Sequence, residues 1–102
     1  MGSNHRASRH LGRHGRRMTR AEVFALIDAE RVRQSAKWSG PHSWGSGDCS
    51  SPLLRDEVKA VVLAEECGEV ARAVLDRAGL AEELVQVAAV AVAWLECIDA
   101  QD

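Results

Sequence analysis

The sequence predicts an all-α protein, a three-helix antiparallel unit that completes a four-helix-type bundle by homo-oligomerisation. Alanine, valine, leucine and glutamate dominate the 102 residues, whereas aromatic residues make up 4% and tyrosine is absent. This composition favours helices over strands. The length allows one small domain, which excludes barrels, doubly wound sheets and most self-contained enzymes with deep clefts. A long apolar segment that a small monomer cannot enclose, discussed below, adds the expectation of self-association.

The formal net charge of −2 averages two unlike parts of the chain. Residues 1–20 carry six arginines and no acidic residue, whereas residues 21–102 carry seven basic and fifteen acidic residues, a net charge of −8. Residues 1–17 contain one large aliphatic side chain, Leu11, and cannot bury a core. We therefore predict a disordered Arg/His-rich extension, followed by one helical domain over residues 18–102.

The basic extension has two interpretations. Its clustered arginines could bind the phosphates of a nucleic acid, and His5, His10 and His14 could hold a metal ion weakly. We favour a solvated extension outside the functional domain, because Met18 stands where a translation start would lie. Nucleic acid is therefore not an expected partner.

The chain has the features expected of a cytoplasmic protein. Its longest apolar run, residues 87–95, is too short to span a bilayer, and the N-terminus lacks the apolar segment of a secretory signal. Cys49, Cys67 and Cys97 show no CxxC spacing. We expect three reduced thiols, and no membrane as a partner.

The first helix is predicted from its N-terminal cap. Thr19 and Glu22 have the spacing of a capping box, and the apolar residues that follow share one helical face. Neither glycine nor proline occurs between Thr19 and Gly40, so the helix is expected to continue to about Lys37.

Residues 39–51 form a predicted loop that is rich in glycine and serine and contains His42 and Trp44. Lys37 and Trp38 lie at its edge. Aromatic side chains in a polar loop can stack on a flat ligand, or they can pin the loop to the helices. The sequence leaves both interpretations open.

Two more helices follow the loop. Ser51 as N-cap and Pro52 as first helical residue predict a second helix from 52 to about 77, with Gly79 as its C-terminal stop. A third helix is predicted over 80–98, and its middle is apolar on nearly every side. Such a helix must be buried on every side, so a dimer or tetramer is expected.

The second helix carries acidic residues on its apolar face. At about 100° per residue, an apolar stripe runs directly into Glu65 and Glu69, with Glu66 at its edge. Carboxylates in such a position repel one another and lose hydration, so they require cations or protons. The apolar members of the stripe are Leu54, Val58, Val61 and Val62.

The third helix offers a matching polar set. Glu83 and Gln86 project on the same side, and an antiparallel neighbour would bring them opposite Glu66 and Glu69. A lone glutamine in an apolar segment must be hydrogen-bonded or act as a ligand. Ligands that are all oxygen atoms suit Mg²⁺ or Mn²⁺ rather than zinc. The residues alone therefore favour a divalent cation site over an ordinary glutamate-rich helix surface.

Glu65-Glu66-Cys67-Gly68-Glu69, thirteen intervening residues and Glu83-Leu84-Val85-Gln86 follow one another in this order. This pattern resembles the EExxE–spacer–ExxD motif of the MazG-like all-α NTP pyrophosphohydrolase family. The flanking segments LAEECGEVARAVL and EELVQVAAVAVAWLE are similar too, and the resemblance covers about residues 19–100.

The resemblance implies Mg²⁺- or Mn²⁺-dependent hydrolysis of an NTP or dNTP to the monophosphate and pyrophosphate, as in clearance of unwanted nucleotides. It implies a homo-oligomer in which Glu66, Glu69, Glu83 and Gln86 hold the metal ion. Glu65 would support the catalytic carboxylates Glu66 and Glu69 or orient the attacking water. The expected substrate-binding residues are Lys37, Trp38, His42, Trp44 and Lys59. Lys59, Arg72 and Arg77 could add positive charge near the phosphates, although we favour a solvated surface position for each.

One residue departs from the family pattern, because Gln86 stands where the family has aspartate. A glutamine offers one neutral carbonyl oxygen, which weakens Mg²⁺ binding. The chain is then either an active enzyme of a subfamily or a degenerate member that binds a nucleotide or a protein partner without catalysis. We favour activity, because the other carboxylates and the loop aromatic residues are present.

Overall fold

A computed structural model describes residues 17–101 of the chain, and the part described is mostly helical. It contains three helices, α1 (Arg20–Lys37), α2 (Asp56–Asp76) and α3 (Leu80–Gln101). The predicted all-α class is thus confirmed. None of these helices is long and apolar enough to cross a membrane. The predicted disordered extension 1–17 lies outside the described residues except for Arg17.

The N-terminus of α1 forms as its sequence predicts. The backbone N–H of Glu22 donates to Thr19 Oγ1 at 3.1 Å, and the backbone N–H of Thr19 donates to Glu22 Oε1 at 2.9 Å. This reciprocal pair is a capping box, and it satisfies two backbone donors at the helix start. At the other end the helix stops at Lys37, and the Trp38 N–H closes the last turn on Gln34.

The loop predicted over 39–51 is more regular than expected. Strands β1 (Pro41–His42) and β2 (Gly45–Ser46) pair antiparallel, with Pro41 opposite Ser46. At Gly47, where φ is +85°, a Cβ atom would lie 2.6 Å from Ser51 Cβ. Only glycine allows both this conformation and this close approach. Gly47 therefore lets the hairpin pack against Ser51.

Helix α2 begins four residues later than predicted, at Asp56 with Arg55 as N-cap. Ser51 and Pro52 lie in a turn instead, because Ser51 Oγ accepts from Leu53 N–H and Ser51 O accepts from Leu54 N–H. Such local bonds compete with helix formation. Ser51 O also accepts from the Lys59 ammonium, a contact that the local sequence does not reveal.

The first left-handed residue at the C-terminal end of α2 is an arginine and not a glycine. Arg77 has φ +54°, and its N–H bonds back to Ala73 and Val74. Gly79, the predicted stop, has φ +76° and directly precedes α3. The turn between the helices is therefore short, and α3 folds back along α2.

Arg77→Gly is expected to stabilise the protein by about 0.5–1 kcal/mol, because glycine adopts the left-handed conformation without the Cβ penalty of other residues. Gly79→Ala is the matched control and is expected to destabilise, since it places a Cβ at φ +76°. Urea unfolding measures both free energies. An Arg77→Gly variant that is less stable than the parent would show that the left-handed conformation of Arg77 carries no net free-energy cost.

The core is small and centred on α3, which packs against both α1 and α2. Ala89, Val90, Ala93 and Cys97 of α3 are buried in it. The segment before α2 adds buried residues too, so the loop is part of the core rather than a surface appendage; these residues are Cys49 and Leu54.

Candidate active site

Helix α2 turns a different face inward than the sequence predicts. The less exposed positions follow Val58, Val62, Glu66 and Val70, whereas Val61 is 59% exposed and Glu65 and Glu69 are exposed. Packing against α3 selects this face. Glu66, which the pattern placed at the edge of the apolar stripe, is therefore the carboxylate that points toward the other helices.

Several carboxylate oxygen atoms on α2 and α3 are buried and lack partners. Among the described residues, Glu66 Oε2, Glu82 Oε1 and Glu83 Oε2 accept no hydrogen bond. An unpaired buried acceptor costs free energy, and a native structure normally satisfies such groups. We call Glu66, Glu69 and Glu83 the acidic cluster.

Burial and mutual repulsion act together in the acidic cluster. Burial raises the pKa of Glu66, and the charges of Glu83 and Glu69 raise it further. Burial likewise raises the pKa of Glu83, followed by the charges of Glu69 and Glu82. Both carboxyl groups are thus easier to protonate than usual, as expected for carboxyl groups that are partly buried and close to like charges.

Glu30 of α1 joins this electrostatic environment, although sequence analysis did not single it out. Its negative charge contributes to the raised pKa of both Glu66 and Glu83. Glu30 Oε1 accepts from Arg33 Nε at 2.8 Å, and Oε2 accepts from Gln34 Nε2 at 3.3 Å. The i, i+3 spacing of Glu30 and Arg33 predicts an ordinary surface pair, so only the packing of α1 reveals this role.

A cleft of about 460 Å³ joins the loop to the acidic end of the helices. Four predicted substrate-binding residues line its loop side, and three predicted catalytic or metal-binding residues line its helix side. The loop-side residues are Lys37, Trp38, His42 and Trp44, and the helix-side residues are Glu65, Glu66 and Gln86. Residues that are distant in sequence therefore share one cleft.

The remaining predicted residues lie elsewhere. Glu69 and Glu83 do not line the cleft but interact electrostatically with Glu66. Lys59 is neither in the cleft nor on the surface: it is 1% exposed, and its Nζ donates to Ser51 O at 2.9 Å and to Cys97 Sγ at 3.0 Å. These bonds hold the ammonium in the core, so the contacts of Lys59 are with the protein interior and not with the cleft.

The hairpin in the loop is held by His42. Its Nε2 bonds Gly47 O at 2.7 Å, and its Nδ1 accepts from the Trp44 N–H at 3.3 Å. These two bonds assign the neutral tautomer with the proton on Nε2. Both ring nitrogens are thus engaged within the hairpin.

The two loop tryptophans have different surroundings. Trp38 meets the His42 ring edge-on at 5.4 Å between centroids, and Lys37 Nζ lies 5.4 Å from the Trp38 ring centroid. Trp44 is 67% exposed and lines the cleft. Trp38 is 41% exposed and has protein contacts on its ring, whereas the Trp44 ring is the more open of the two for a flat ligand.

The donor set fits a hard divalent cation by its chemistry. Glutamate and glutamine oxygen atoms suit Mg²⁺ or Mn²⁺, and Glu66 and Glu83 each present a buried oxygen without a partner. Within residues 17–101, however, no three His, Cys, Asp or Glu side chains are arranged to hold a metal ion. A cation held by these groups would require their side chains to rotate. The three cysteines are free thiols.

Comparisons of this chain with protein-family models, with curated proteins and with solved structures found no match.

Proposed function

We propose that this chain is a MazG-like nucleoside triphosphate pyrophosphohydrolase that converts an NTP or dNTP and water to the monophosphate and pyrophosphate, with Mg²⁺ or Mn²⁺. One observation carries the proposal: a single cleft is lined by an open aromatic ring, by cations and by carboxylates. This is the set of groups that a nucleotide requires, because its base is flat and apolar and its phosphates are anionic.

The nucleoside is proposed to bind at the loop side of the cleft. The open ring of Trp44 offers a stacking surface for the base, since stacking on an aromatic ring is tolerant of base identity. Cys49, Leu54 and Val90 line the same cleft and provide an apolar wall. Trp38 and His42 support this side by holding the hairpin in place.

The triphosphate is proposed to lie toward the acidic cluster. Arg33 and Lys37 line the cleft and can pair with phosphate oxygens. A bound divalent cation, held by Glu66, Glu69, Glu83 and Gln86, would neutralise the repulsion between carboxylates and phosphates and would acidify water. Glu65 lines the cleft beside Glu66 and can orient the water that attacks the α-phosphorus, with pyrophosphate as the leaving group.

Gln86 supports a second candidate, a nucleotide-binding protein without hydrolytic activity. Its neutral amide lines the cleft where the family pattern has a carboxylate. With fewer charged ligands, cation affinity is lower, and the carboxylates around Gln86 are not preassembled around a metal position. In this alternative the same cleft binds the nucleotide and releases it unchanged.

The exposed side of α3 supports a homo-oligomer, either dimer or tetramer. Leu84, Leu95 and Ile98 are 50%, 63% and 43% exposed on this helix. Large apolar side chains exposed together mark interaction surfaces, and a second copy would cover them. The proposed setting is the cytoplasm, in keeping with three free thiols.

The proposed function is tested by pyrophosphate release from a panel of standard and damaged NTPs and dNTPs, with Mg²⁺ or Mn²⁺. Turnover of at least one nucleotide, abolished by chelation, is expected. A thermal-shift titration with each cation is run in parallel, because specific binding raises the melting temperature. Binding of nucleotide with no turnover under any cation would favour the second candidate and refute the enzyme.

Trp44→Ala is expected to raise KM for the nucleotide about tenfold or more with little change in kcat, because a lost base stack is worth about 1–3 kcal/mol. Steady-state kinetics measure both constants, and Trp44→Phe is expected to retain part of the affinity. Trp94→Phe is the control, since Trp94 lies on α3 and donates to Asp56 outside the cleft. An unchanged KM in Trp44→Ala would remove this residue from the nucleoside site.

A further inference from the structure

The loop that carries Trp44 is bonded to α1 through Arg31. Arg31 Nη1 donates to Asp48 Oδ2 at 2.8 Å. The same guanidinium donates from Nε to Glu96 Oε2 at 3.0 Å and from Nη2 to Glu96 Oε1 at 3.3 Å. A single side chain thus ties α1, the loop and α3 together.

The two halves of this bridge differ in their environment. The Arg31 and Asp48 side chains are 11% and 8% exposed, whereas Glu96 is 52% exposed. Exposed ion pairs contribute little because water and salt screen them. A shielded, charge-assisted hydrogen bond is stronger, so the bond to Asp48 is the half that fixes the loop.

Asp48 passes this restraint on to the cleft. Its Oδ1 accepts from the Ser50 N–H at 3.0 Å and from Ser50 Oγ at 2.6 Å. Burial alone would raise the pKa of Asp48, but the hydrogen bonds from Ser50 and Arg31 outweigh it and lower the pKa. Asp48 itself lines the cleft, and it follows Gly47, whose carbonyl oxygen bonds His42.

We propose that Arg31 is a positioning residue for nucleotide binding. Through its bond to Asp48, Arg31 holds the His42–Trp44 hairpin in the position in which Trp44 lines the cleft. Arg31 does not line the cleft, so it acts on the ligand only through the loop. This inference rests on the proposed function for the identity of the ligand. It adds a residue that neither the acidic motif nor the loop composition indicates.

The kinetic test compares Arg31→Gln and Asp48→Asn with the parent protein. Each is expected to raise KM about tenfold while kcat stays within about twofold, because the acidic cluster is not attached to this bridge. The double variant is expected to be no worse than either single variant, as for two groups that act as one unit. Arg31→Lys is expected to rescue part of the affinity. A lysine ammonium can keep the bond to Asp48 but cannot also make the two bonds that the guanidinium donates to Glu96.

Glu96→Gln is the matched control. It removes the charge and one acceptor oxygen from the exposed half of the bridge and leaves the bond between Arg31 and Asp48, so KM is expected to stay near the parental value. An equal rise in KM for Glu96→Gln and Arg31→Gln would overturn the proposal, because Arg31 would then merely fasten α1 to α3.

A second readout uses neither nucleotide nor metal. Hydrogen exchange of backbone amides in residues 40–51 is expected to be at least about tenfold faster in Arg31→Gln, with residues 70–85 unchanged. Unchanged exchange in 40–51, or equal acceleration in both segments, overturns the proposal. If the parent hydrolyses no nucleotide, dissociation constants for dNTPs from tryptophan fluorescence replace KM. A loosened loop with weakened dNTP binding then supports Arg31, while the hydrolytic function alone fails.

Discussion

Glu66→Gln is expected to lower kcat/KM for pyrophosphate release by about 100-fold or more, and to raise the melting temperature of the metal-free protein. The first effect follows because Glu66 is the inward carboxylate of the proposed cation site. The second follows because burial and the charges of Glu83 and Glu69 oppose its ionisation, and a neutral amide removes that repulsion. Loss of function together with gained stability distinguishes a ligand-binding group from a structural one.

The same repulsion predicts how stability depends on pH. The pKa of Glu66 lies above its ordinary value of 4.5 in the folded protein, so between these two values the folded state binds more protons than the unfolded state. The contribution of Glu66 to the stability of the metal-free parent is therefore largest below the ordinary value and falls as pH rises through the raised pKa. Melting temperatures measured in chelator from pH 4 to pH 8 are expected to show this fall, and Glu66→Gln reduces it.

Glu57→Gln provides the control for both measurements, since Glu57 is an exposed residue in the first turn of α2. Its turnover and its response to Mg²⁺ are expected to match the parent. The parent is expected to regain stability on adding Mg²⁺ at neutral pH, whereas Glu66→Gln is not. Parental turnover in Glu66→Gln would show that the catalytic site is elsewhere.

Lys59→Ala is expected to destabilise the protein by about 2–5 kcal/mol, in the range of large-to-small core substitutions. Lys59 is 1% exposed, so truncation leaves a cavity and removes the bonds to Ser51 and Cys97. Lys59→Met keeps most of the volume and removes the charge, and buried charges replaced by apolar side chains are often tolerated. It is therefore expected to stay within about 1.5 kcal/mol of the parent.

Urea unfolding of both Lys59 variants measures this difference, with Lys37→Ala as the exposed control. KM of Lys59→Met decides between the two roles of this residue. A parental KM is expected, because Lys59 does not line the cleft. A large rise in KM in a variant that remains folded would favour the substrate-binding role that the sequence predicts.

Local signals in the sequence were reliable where the interaction itself is local. The Thr19 and Glu22 capping box forms as predicted, because both partners lie within one helical turn. The predicted start of α2 is wrong. The Ser51 hydroxyl accepts a hydrogen bond within a turn, and the Ser51 carbonyl oxygen accepts from Lys59, eight residues away. A cap and a turn use the same serine groups, and only the packing of the chain selects between them.

The candidate site shows the same limit. The spacing of the glutamates on α2 and α3 predicts a cation site. The aromatic residues of the loop suggest, separately, a surface for a flat ligand. Neither pattern shows that Glu65, Glu66 and Trp44 line a common cleft. Glu30 and Arg31 could not be found by spacing, because their partners lie on α2, on α3 and in the loop.

The helical class follows from the amino-acid sequence without any tertiary contact, because helix propensity and capping act over a few residues. The residue types available for a hard cation and a flat ligand follow from it as well. Packing of the helices and the loop makes Glu66 face inward, buries Lys59 and brings Arg31 to Asp48. These properties depend on which surfaces come into contact, and that is set by burial of the whole core rather than by any local pattern.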